Sequence, residues 1–242
     1  MLTKAQAKYI QNLGHKKLRE NENLFVAEGP KLVLDLHRES SLNIHSAFAT
    51  AAFLEAHPGL ENMVEVSESE LERISFLSTP NQVVALFHKP SFSKPTSFKG
   101  RVSLMLDTIQ DPGNMGSIVR TADWFGVKTI VCSQDSADIY NPKVVQSTMG
   151  SIARVQVLYE DLASFIIEND LPTIYATTLR GQSIFGMAPL KEGMILIGNE
   201  SKGISEELIK QTDEAITIPK KGNAESLNAA IATGIVLAQL VR

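Results

Sequence analysis

Short apolar runs separated by amphipathic stretches recur along the chain after residue 100. These runs predict strands at residues 102–106, 129–132, 155–158, 173–176, 194–198 and 215–218. Several of them are continuous rather than alternating, which is typical of strands buried on both faces of a parallel sheet. With helices between the strands, the pattern predicts a doubly wound α/β sheet whose ligand crevice lies at the carboxyl ends of the strands.

The last predicted helix covers residues 224–241. Its apolar residues Leu227, Ile231, Ile235 and Ala238 follow one another at helical spacing. Residues spaced in this way share one side of a helix. We therefore predict that these four side chains form one buried stripe against the sheet.

The first part of the chain, residues 1–95, reads as a smaller α/β unit. Helices are predicted at residues 4–12, 29–39, 51–56 and after Ser67, and strands at 24–27, 44–49, 64–66 and 82–87. A serine at 67 or 69 followed by a glutamate at 70 or 72 resembles a capping box that opens a helix.

A polar segment separates the two parts. Residues 88–101, HKPSFSKPTSFKGR, contain two prolines and no periodic apolar pattern. Such a composition is typical of a linker between domains. The predicted domains are residues 1–95 and 96–242.

Charge and composition exclude several classes of protein. The net charge of −4 and the pI of about 5.8 do not indicate a nucleic-acid binder. Residues 1–19, however, hold five basic side chains and no acidic one. This run is either a phosphate-binding patch or an ordinary solvated surface. The single cysteine excludes an intramolecular disulfide, and no apolar run is long enough for a membrane helix. Without a signal peptide, the pattern favours the cytoplasm.

The absence of several motifs excludes further classes of catalytic and binding site. All five histidines precede residue 89, so the second part lacks a Ser–His–Asp triad and a His-based zinc site. A G-x₄-G spacing begins at Gly198, but Ile204 stands where a phosphate-binding P-loop has lysine. No G-x-G-x-x-G follows a strand, which argues against a dinucleotide site. No metal is expected.

The loop after the strand at 102–106 is the first of three polar loops at predicted strand ends. Pro112 and Gly113 form a turn, and Asn114 can cap the helix that follows. Arg120 on this helix has two interpretations. It forms a surface pair with Asp123, three residues on, or it is a fixed cation that binds a phosphate or a developing oxyanion.

The other two loops have the same ambiguity between capping and binding. Residues 196–205 place Asn199 and Glu200 at the sheet edge after Gly198, with Ser205 as the expected cap of the next helix. Residues 217–234 place Ser226 at a helix start, where exposed N–H groups favour an anionic ligand. Asn223 or Ser226 would cap this helix if the loop had no ligand.

Together the three loops resemble the three motifs of the SpoU (TrmH-type) branch of the SPOUT RNA methyltransferases. The matching segments, in order, are LDTIQDPGNMGSIVRTADWFG, LIGNESKGIS and IPKKGNAESLNAAIATGIVLA. The N-terminal segments NENLFVAEGPKLVLDL and STPNQVVALF also resemble the substrate-binding domain of this family, which is similar to the L30e fold.

The resemblance implies a parallel-sheet SPOUT methyltransferase domain with a C-terminal trefoil knot, preceded by the L30e-like domain. It further implies a homodimer and S-adenosylmethionine as methyl donor, with S-adenosylhomocysteine as product. The methyl acceptor would be a ribose 2′-hydroxyl of RNA. The separate N-terminal domain favours ribosomal RNA over transfer RNA.

The resemblance also assigns roles to residues. The catalytic positions are Asn114, Arg120, Glu200, Ser226 and Asn228. The cofactor-binding positions are Thr177, Leu196, Gly198, Asn199, Ile218, Ser226 and Leu227. Lysines 220 and 221 depart from the apolar residue that many relatives carry, and Ala229–Ala230 departs from their frequent Val–Ser.

For RNA binding we expect one surface that contains Lys16, Lys17, Arg19, Lys220 and Lys221. Two other classes of protein compete with the methyltransferase interpretation. The first is an inactive RNA-binding ribosome-assembly factor of the same fold, against which the intact motif residues argue. The second is a nucleotide-dependent dehydrogenase, against which the missing glycine motif argues.

Overall fold

A computed structural model describes residues 2–241. Its strands are β1 (Leu24–Glu28), β2 (Ile44–Ala49), β3 (Met63–Glu65), β4 (Val83–His88), β5 (Val102–Leu106), β6 (Thr129–Ser133), β7 (Gln156–Glu160), β8 (Ile174–Ser183), β9 (Gly193–Ile197) and β10 (Glu214–Thr217). Its α-helices are α1 (Lys4–Asn12), α2 (Lys16–Glu22), α3 (Pro30–His37), α4 (Ala51–Ala56), α5 (Glu68–Glu72), α6 (Pro112–Trp124), α7 (Pro142–Thr148), α8 (Leu162–Glu168), α9 (Glu206–Ile209) and α10 (Ala229–Leu240).

The chain divides into two compact units. The first contains the residues up to Phe92 together with the segment Asp138–Ala153, and the second contains Ser93–Ala137 and the residues from Arg154 onward. The sequence predicted a single boundary near residue 95 and did not predict that Asp138–Ala153 belongs to the first unit.

The first unit is built on a four-stranded sheet in the order β1-β4-β2-β3. Strand β4 is antiparallel to both neighbours, whereas β2 and β3 are parallel. The predicted capping box is present: Ser67 accepts a hydrogen bond from the backbone of Glu70, whose side chain accepts one from the backbone of Ser67. Helix α2 was not predicted, because its seven residues are nearly all polar.

Arg19 is buried inside this first unit, with 2% of its surface exposed. Its guanidinium donates to the backbone oxygen of Leu13, at 2.7 Å, and to the carboxylate of Asp138. Tyr140 of the same returning segment packs against Phe25 in a tilted arrangement, with ring centroids 5.5 Å apart. Burial raises the pKa of Tyr140 to about 12. The expectation that Arg19 contacts RNA was therefore wrong, since the side chain is held inside the protein.

The second unit is built on a six-stranded sheet in the order β10-β8-β9-β5-β6-β7. Every neighbouring pair in this sheet is parallel. Residues of β5 and β9 are almost entirely inaccessible, which explains their continuous apolar runs. The predicted parallel α/β sheet is confirmed, with strand ends displaced by a few residues, most of all in β8, which runs seven residues beyond its predicted end.

The predicted buried stripe of the last helix was wrong. Helix α10 begins at Ala229, and Ile231 is 57% exposed, with Leu227 just before the helix 44% exposed. The buried side holds instead Ala229, Thr233, Val236, Leu237 and Leu240. This helix is apolar on all sides, so the spacing of apolar residues does not indicate which side faces the core.

Candidate active site

The three predicted loops follow β5, β9 and β10. Because all strands of this sheet are parallel, their carboxyl ends share one edge, and the loops therefore lie on one side of the second unit. Strands β5 and β9 are direct neighbours, with Leu106 opposite Ile197.

One residue from each loop joins a chain of side-chain hydrogen bonds. The amide nitrogen of Asn228 donates to the side-chain oxygen of Asn114 at 2.8 Å. The amide nitrogen of Asn114 donates in turn to a carboxylate oxygen of Glu200. Three of the predicted catalytic residues, separated by up to 114 positions in sequence, are thus in direct contact.

The helix caps leave these side chains available for contacts with one another. Asp111 caps α6 by accepting from the backbone nitrogen of Asn114 at 2.8 Å, so the expectation that Asn114 is the cap was wrong. Asn228 caps α10 with its side-chain oxygen, in place of Asn223 or Ser226, and still has its nitrogen for Asn114. A dual role of this kind fixes the orientation of the Asn228 amide.

Arg120 lies on the exposed side of α6. The predicted alternative, a surface pair with Asp123, is wrong because Asp123 accepts from Arg154 at 2.9 Å instead. Within residues 2–241 the Arg120 guanidinium has neither an ion pair nor a hydrogen bond. Helix α6 thus carries an uncompensated cation six residues after Asn114.

A cleft of about 1130 Å³ is lined by the loops after β9 and β10 and by residues of β8, but by no residue of the loop after β5. The predicted cofactor residues that line it are Thr177, Gly198, Asn199, Ile218, Ser226 and Leu227, and Glu200 lines it as well. Leu196 lies behind this wall, fully buried, and its backbone oxygen accepts from the hydroxyl of Thr177 at 2.8 Å. The lining does not include Asn114, Arg120 or Asn228; Asn114 reaches the cleft through Glu200.

The loop after β9 has a fixed shape that only glycine permits at its start. A Cβ on Gly198 would lie 2.4 Å from the backbone carbon of Gly203, far inside contact distance. Two backbone hydrogen bonds between Asn199 and Gly203, at 3.0 and 2.9 Å, close the loop. The backbone folds against itself here, leaving the cleft side open to a ligand.

Two residues that sequence reasoning missed hold this loop in place. Asp107 is 7% exposed and accepts from the backbone nitrogen of Ser205 at 2.8 Å, so Ser205 starts α9 as predicted but without a side-chain cap. The oxygen of Thr108 accepts from the side chain of Asn199 at 2.8 Å. A carboxylate directly after a buried strand was the signal that could have identified Asp107.

Thr108 is held in an unusual backbone conformation, with a φ of 58°. A β-branched residue rarely adopts this left-handed region, and such strain costs about 1–3 kcal/mol. Its nitrogen donates to the hydroxyl of Ser133, and its own hydroxyl donates to Asp107 and Asp135. These bonds offset the strain and orient the Thr108 oxygen toward Asn199.

The cleft suits the predicted cofactor. Its wall is largely apolar, with Ile197, Ile218 and Val236 among its residues, and it also presents strand-end backbone and the polar groups of Thr177 and Asn199. Apolar walls with a few placed polar groups are what small-molecule sites generally require. The residues present therefore fit the adenosyl part of S-adenosylmethionine.

The basic residues predicted to bind RNA differ in their surroundings. Lys17, Lys220 and Lys221 are exposed, whereas Lys16, also exposed, lies 3.7 Å from Glu20. Their membership of one RNA-binding surface stays a prediction. Within residues 2–241 no group of three or more His, Cys, Asp or Glu side chains could hold a metal ion. No helix in that range is long and apolar enough to cross a membrane.

Family models match both parts of the chain. Residues 101–238 match the SpoU rRNA Methylase family, and residues 4–85 match the MRM3-like substrate binding domain. Together with the parallel sheet and the cofactor cleft, these matches define a two-part methyltransferase that uses S-adenosylmethionine. The chain belongs to the SpoU rRNA methylase family of the SPOUT superfamily.

Similar proteins cover almost the whole chain. The 23S rRNA (guanosine(2553)-2′-O)-methyltransferase RlmP of Bacillus subtilis is 31% identical over 235 residues, which are 95% of this chain and 93% of that protein. A TrmH-family protein from Porphyromonas gingivalis is 35% identical, with a TM-score of 0.85 over 99% of this chain and 98% of its own. An AdoMet-bound rRNA methyltransferase from Sinorhizobium meliloti is 31% identical, with a TM-score of 0.83 and coverage of 99% and 95%.

Proposed function

We propose that this protein transfers a methyl group from S-adenosylmethionine to a ribose 2′-hydroxyl of ribosomal RNA. The observation that carries this proposal is the contact of Asn228 with Asn114 and of Asn114 with Glu200, beside the cleft. The similarity to a 23S rRNA 2′-O-methyltransferase and to an AdoMet-bound rRNA methyltransferase supports both the acceptor and the donor. We propose the cytoplasm as the place of this reaction.

The residues of the site have to position the 2′-oxygen that accepts the methyl group and stabilise the negative charge that develops on it. S-adenosylmethionine, when bound, supplies an electrophilic methyl group on a sulfonium. Holding the 2′-oxygen in line with that group supplies a large part of the rate. Asn114 and Asn228 fix Glu200 at the cleft, where its carboxylate can accept a hydrogen bond from a ribose hydroxyl.

We assign to Arg120 the stabilisation of the negative charge that develops on the acceptor oxygen. As the new O–C bond forms, the methyl–sulfur bond breaks and S-adenosylhomocysteine is left. The 2′-hydroxyl releases its proton to solvent, since the second unit contains no histidine to take it. Arginine is protonated throughout the pH range of proteins, so Arg120 acts as a cation rather than as a base. It stabilises the forming alkoxide or holds the adjacent phosphate.

The first test of the function uses labelled S-adenosylmethionine with ribosomal RNA, transfer RNA and ribosomal particles that lack native modification. We expect label in the ribosomal RNA, resistant to alkali at the modified linkage because a methylated 2′-oxygen cannot attack the neighbouring phosphate. Binding of S-adenosylhomocysteine is measured in parallel by calorimetry. Label in transfer RNA alone would contradict the substrate class. Absence of label from all three substrates would favour the inactive assembly factor.

We further propose that the protein is a homodimer through the faces of α6 and α10, which pack against each other. Trp124 is 85% exposed and Ile231 57% exposed, although both are large and apolar. Ala238 is exposed on the same stripe of α10 as Ile231. A second copy of the chain would cover these side chains, and an exposed apolar patch of this kind marks an interaction surface. The trefoil knot implied by the family resemblance likewise stays a prediction.

A glutamate at the proposed dimer face tests the interface. We expect Trp124→Glu and Ile231→Glu to convert a dimer into a monomer, because a buried carboxylate without a partner is costly to desolvate. Light scattering coupled to size-exclusion chromatography measures the mass directly. Ile167→Glu on α8, where Ile167 is 77% exposed, is the matched control and should leave the mass unchanged. A wild-type protein that elutes as a monomer would refute the dimer.

A further inference from the structure

Four basic residues line the cofactor cleft. They come from three separate segments of the second unit: Arg180, Lys202, and the pair Lys220 and Lys221. All four residues are exposed, and within residues 2–241 none of their side chains forms an ion pair. Two acidic residues line the same cleft, and Glu200 among them is engaged by Asn114. The cleft is therefore positive in a chain whose net charge is −4.

An irregularity between β8 and β10 brings Arg180 to this position. Ala215 pairs with Ala176, but the next residue, Ile216, pairs with Gln182, so residues 177–181 leave the ladder between these two points. Gly181 permits the return, since a Cβ there would lie 2.4 Å from the backbone oxygen of Ala215. The excursion places Arg180 in the cleft wall, and a hydrogen bond from the Thr178 hydroxyl to the Arg180 oxygen braces it.

Lys202 is placed by the closed loop after β9. Its backbone nitrogen donates to the side-chain oxygen of Asn199 at 3.1 Å, and the bridge between Asn199 and Gly203 fixes the loop on both sides. The Lys202 backbone is thus held in place while its side chain is free to extend over the cleft. Two ordered backbone excursions, from β8 and from β9, each present one cation at the same cleft.

A small cofactor does not account for this charge. S-adenosylmethionine has one carboxylate, which needs a single cation, and its sulfonium is repelled by any others. A polyanion with regularly spaced charges uses all four, and the planar guanidinium of arginine binds phosphate through two hydrogen bonds. The cleft volume of about 1130 Å³ also exceeds the upper value of about 1000 Å³ that is usual for small-molecule sites.

We propose that Arg180 and Lys202 bind backbone phosphates of the RNA at the mouth of the cofactor cleft, next to the nucleotide that is methylated. This inference rests on the proposed function, because it takes RNA as the polyanion. Arg180 and Lys202 add to the contribution expected of Lys220 and Lys221, which line the same cleft.

The double variant Arg180→Gln, Lys202→Gln tests the site. RNA binding is measured with an unmodified 23S ribosomal RNA transcript over a series of salt concentrations. Loss of two phosphate contacts should lower the slope of log affinity against log salt by about 1.4 to 1.8. The affinity for S-adenosylhomocysteine, measured by calorimetry, should stay unchanged. The matched control replaces the exposed residues Lys191 and Lys210, which do not line the cleft, with glutamine and should preserve the salt slope.

The possible results distinguish a failure of the phosphate site from a failure of the proposed methyl transfer. An unchanged salt slope in the cleft variant, or a slope lowered equally in the control, would overturn the phosphate site. Weakened binding of S-adenosylhomocysteine with an unchanged slope would reassign Arg180 and Lys202 to the cofactor. Because binding is measured without turnover, a wild-type protein that binds the transcript but transfers no methyl group would contradict the function and leave the phosphate site intact.

Discussion

Replacing Arg120 with alanine is expected to lower kcat for RNA methylation by about 10²-fold or more. The guanidinium is exposed on α6 and lacks an ion pair within the described residues, so its charge is available to the reacting oxygen. The cofactor affinity should persist, because Arg120 does not line the cleft. Single-turnover kinetics with labelled cofactor, together with calorimetry of S-adenosylhomocysteine, measure the two quantities separately.

Two further variants make the Arg120 experiment specific. Arg120→Lys keeps the positive charge but cannot form the bidentate hydrogen bonds of a guanidinium, so we expect a kcat between those of Arg120→Ala and the wild type. Arg101→Ala removes an exposed arginine just before β5, at the opposite end of that strand, and should leave kcat unaffected. A normal kcat in Arg120→Ala would remove Arg120 from the mechanism.

Replacing Asp138 with alanine is expected to destabilise the first unit by about 3–5 kcal/mol. The substitution leaves the guanidinium of Arg19 buried without its carboxylate, and the backbone oxygen of Leu13 would be its one remaining hydrogen-bond acceptor. An unpaired buried charge is among the costliest defects in a protein interior. Urea unfolding, followed by the fluorescence of tyrosine and tryptophan, measures the change in free energy.

The chain offers a matched control for this experiment. Arg38 and Asp35 form a pair at 3.3 Å that is largely in solvent, so Asp35→Ala should cost less than about 1 kcal/mol. Replacing both buried partners, with Arg19→Met and Asp138→Leu, should recover much of the lost stability. A cost for Asp138→Ala as small as that of Asp35→Ala would show that the buried pair contributes little.

The sequence identified the parallel sheet because its central strands β5 and β9 are buried on both faces and are therefore almost entirely apolar. The same logic failed for α10, where apolar residues surround the helix and the exposed apolar side resembles a core face. It failed again for Arg19, which stands in a basic run but is paired with Asp138, 119 residues away. Spacing along the chain holds no information about such distant partners.

In the candidate site, too, some features were predicted from the sequence and others were not. The three motifs identified Asn114, Glu200 and Asn228, and the structure places these three in contact. Local rules pointed to Asn114 as the cap of α6, whereas the structure has Asp111, whose residue type suits that position equally well. Thr108 was missed for a different reason, since threonine gives no sign of a left-handed backbone.

The return of Asp138–Ala153 to the first unit has a consequence for synthesis of the protein on the ribosome. Strand β1 and Arg19 are made early, but Asp138 and Tyr140 emerge only after the intervening stretch Ser93–Ala137. At translation rates of about 5–20 residues per second, those residues take about 2 to 9 s. During that interval Arg19 has no carboxylate partner and Phe25 lacks its contact with Tyr140, so the first unit cannot finish folding before the second has begun to appear. Co-translational folding of this chain is therefore interleaved rather than sequential.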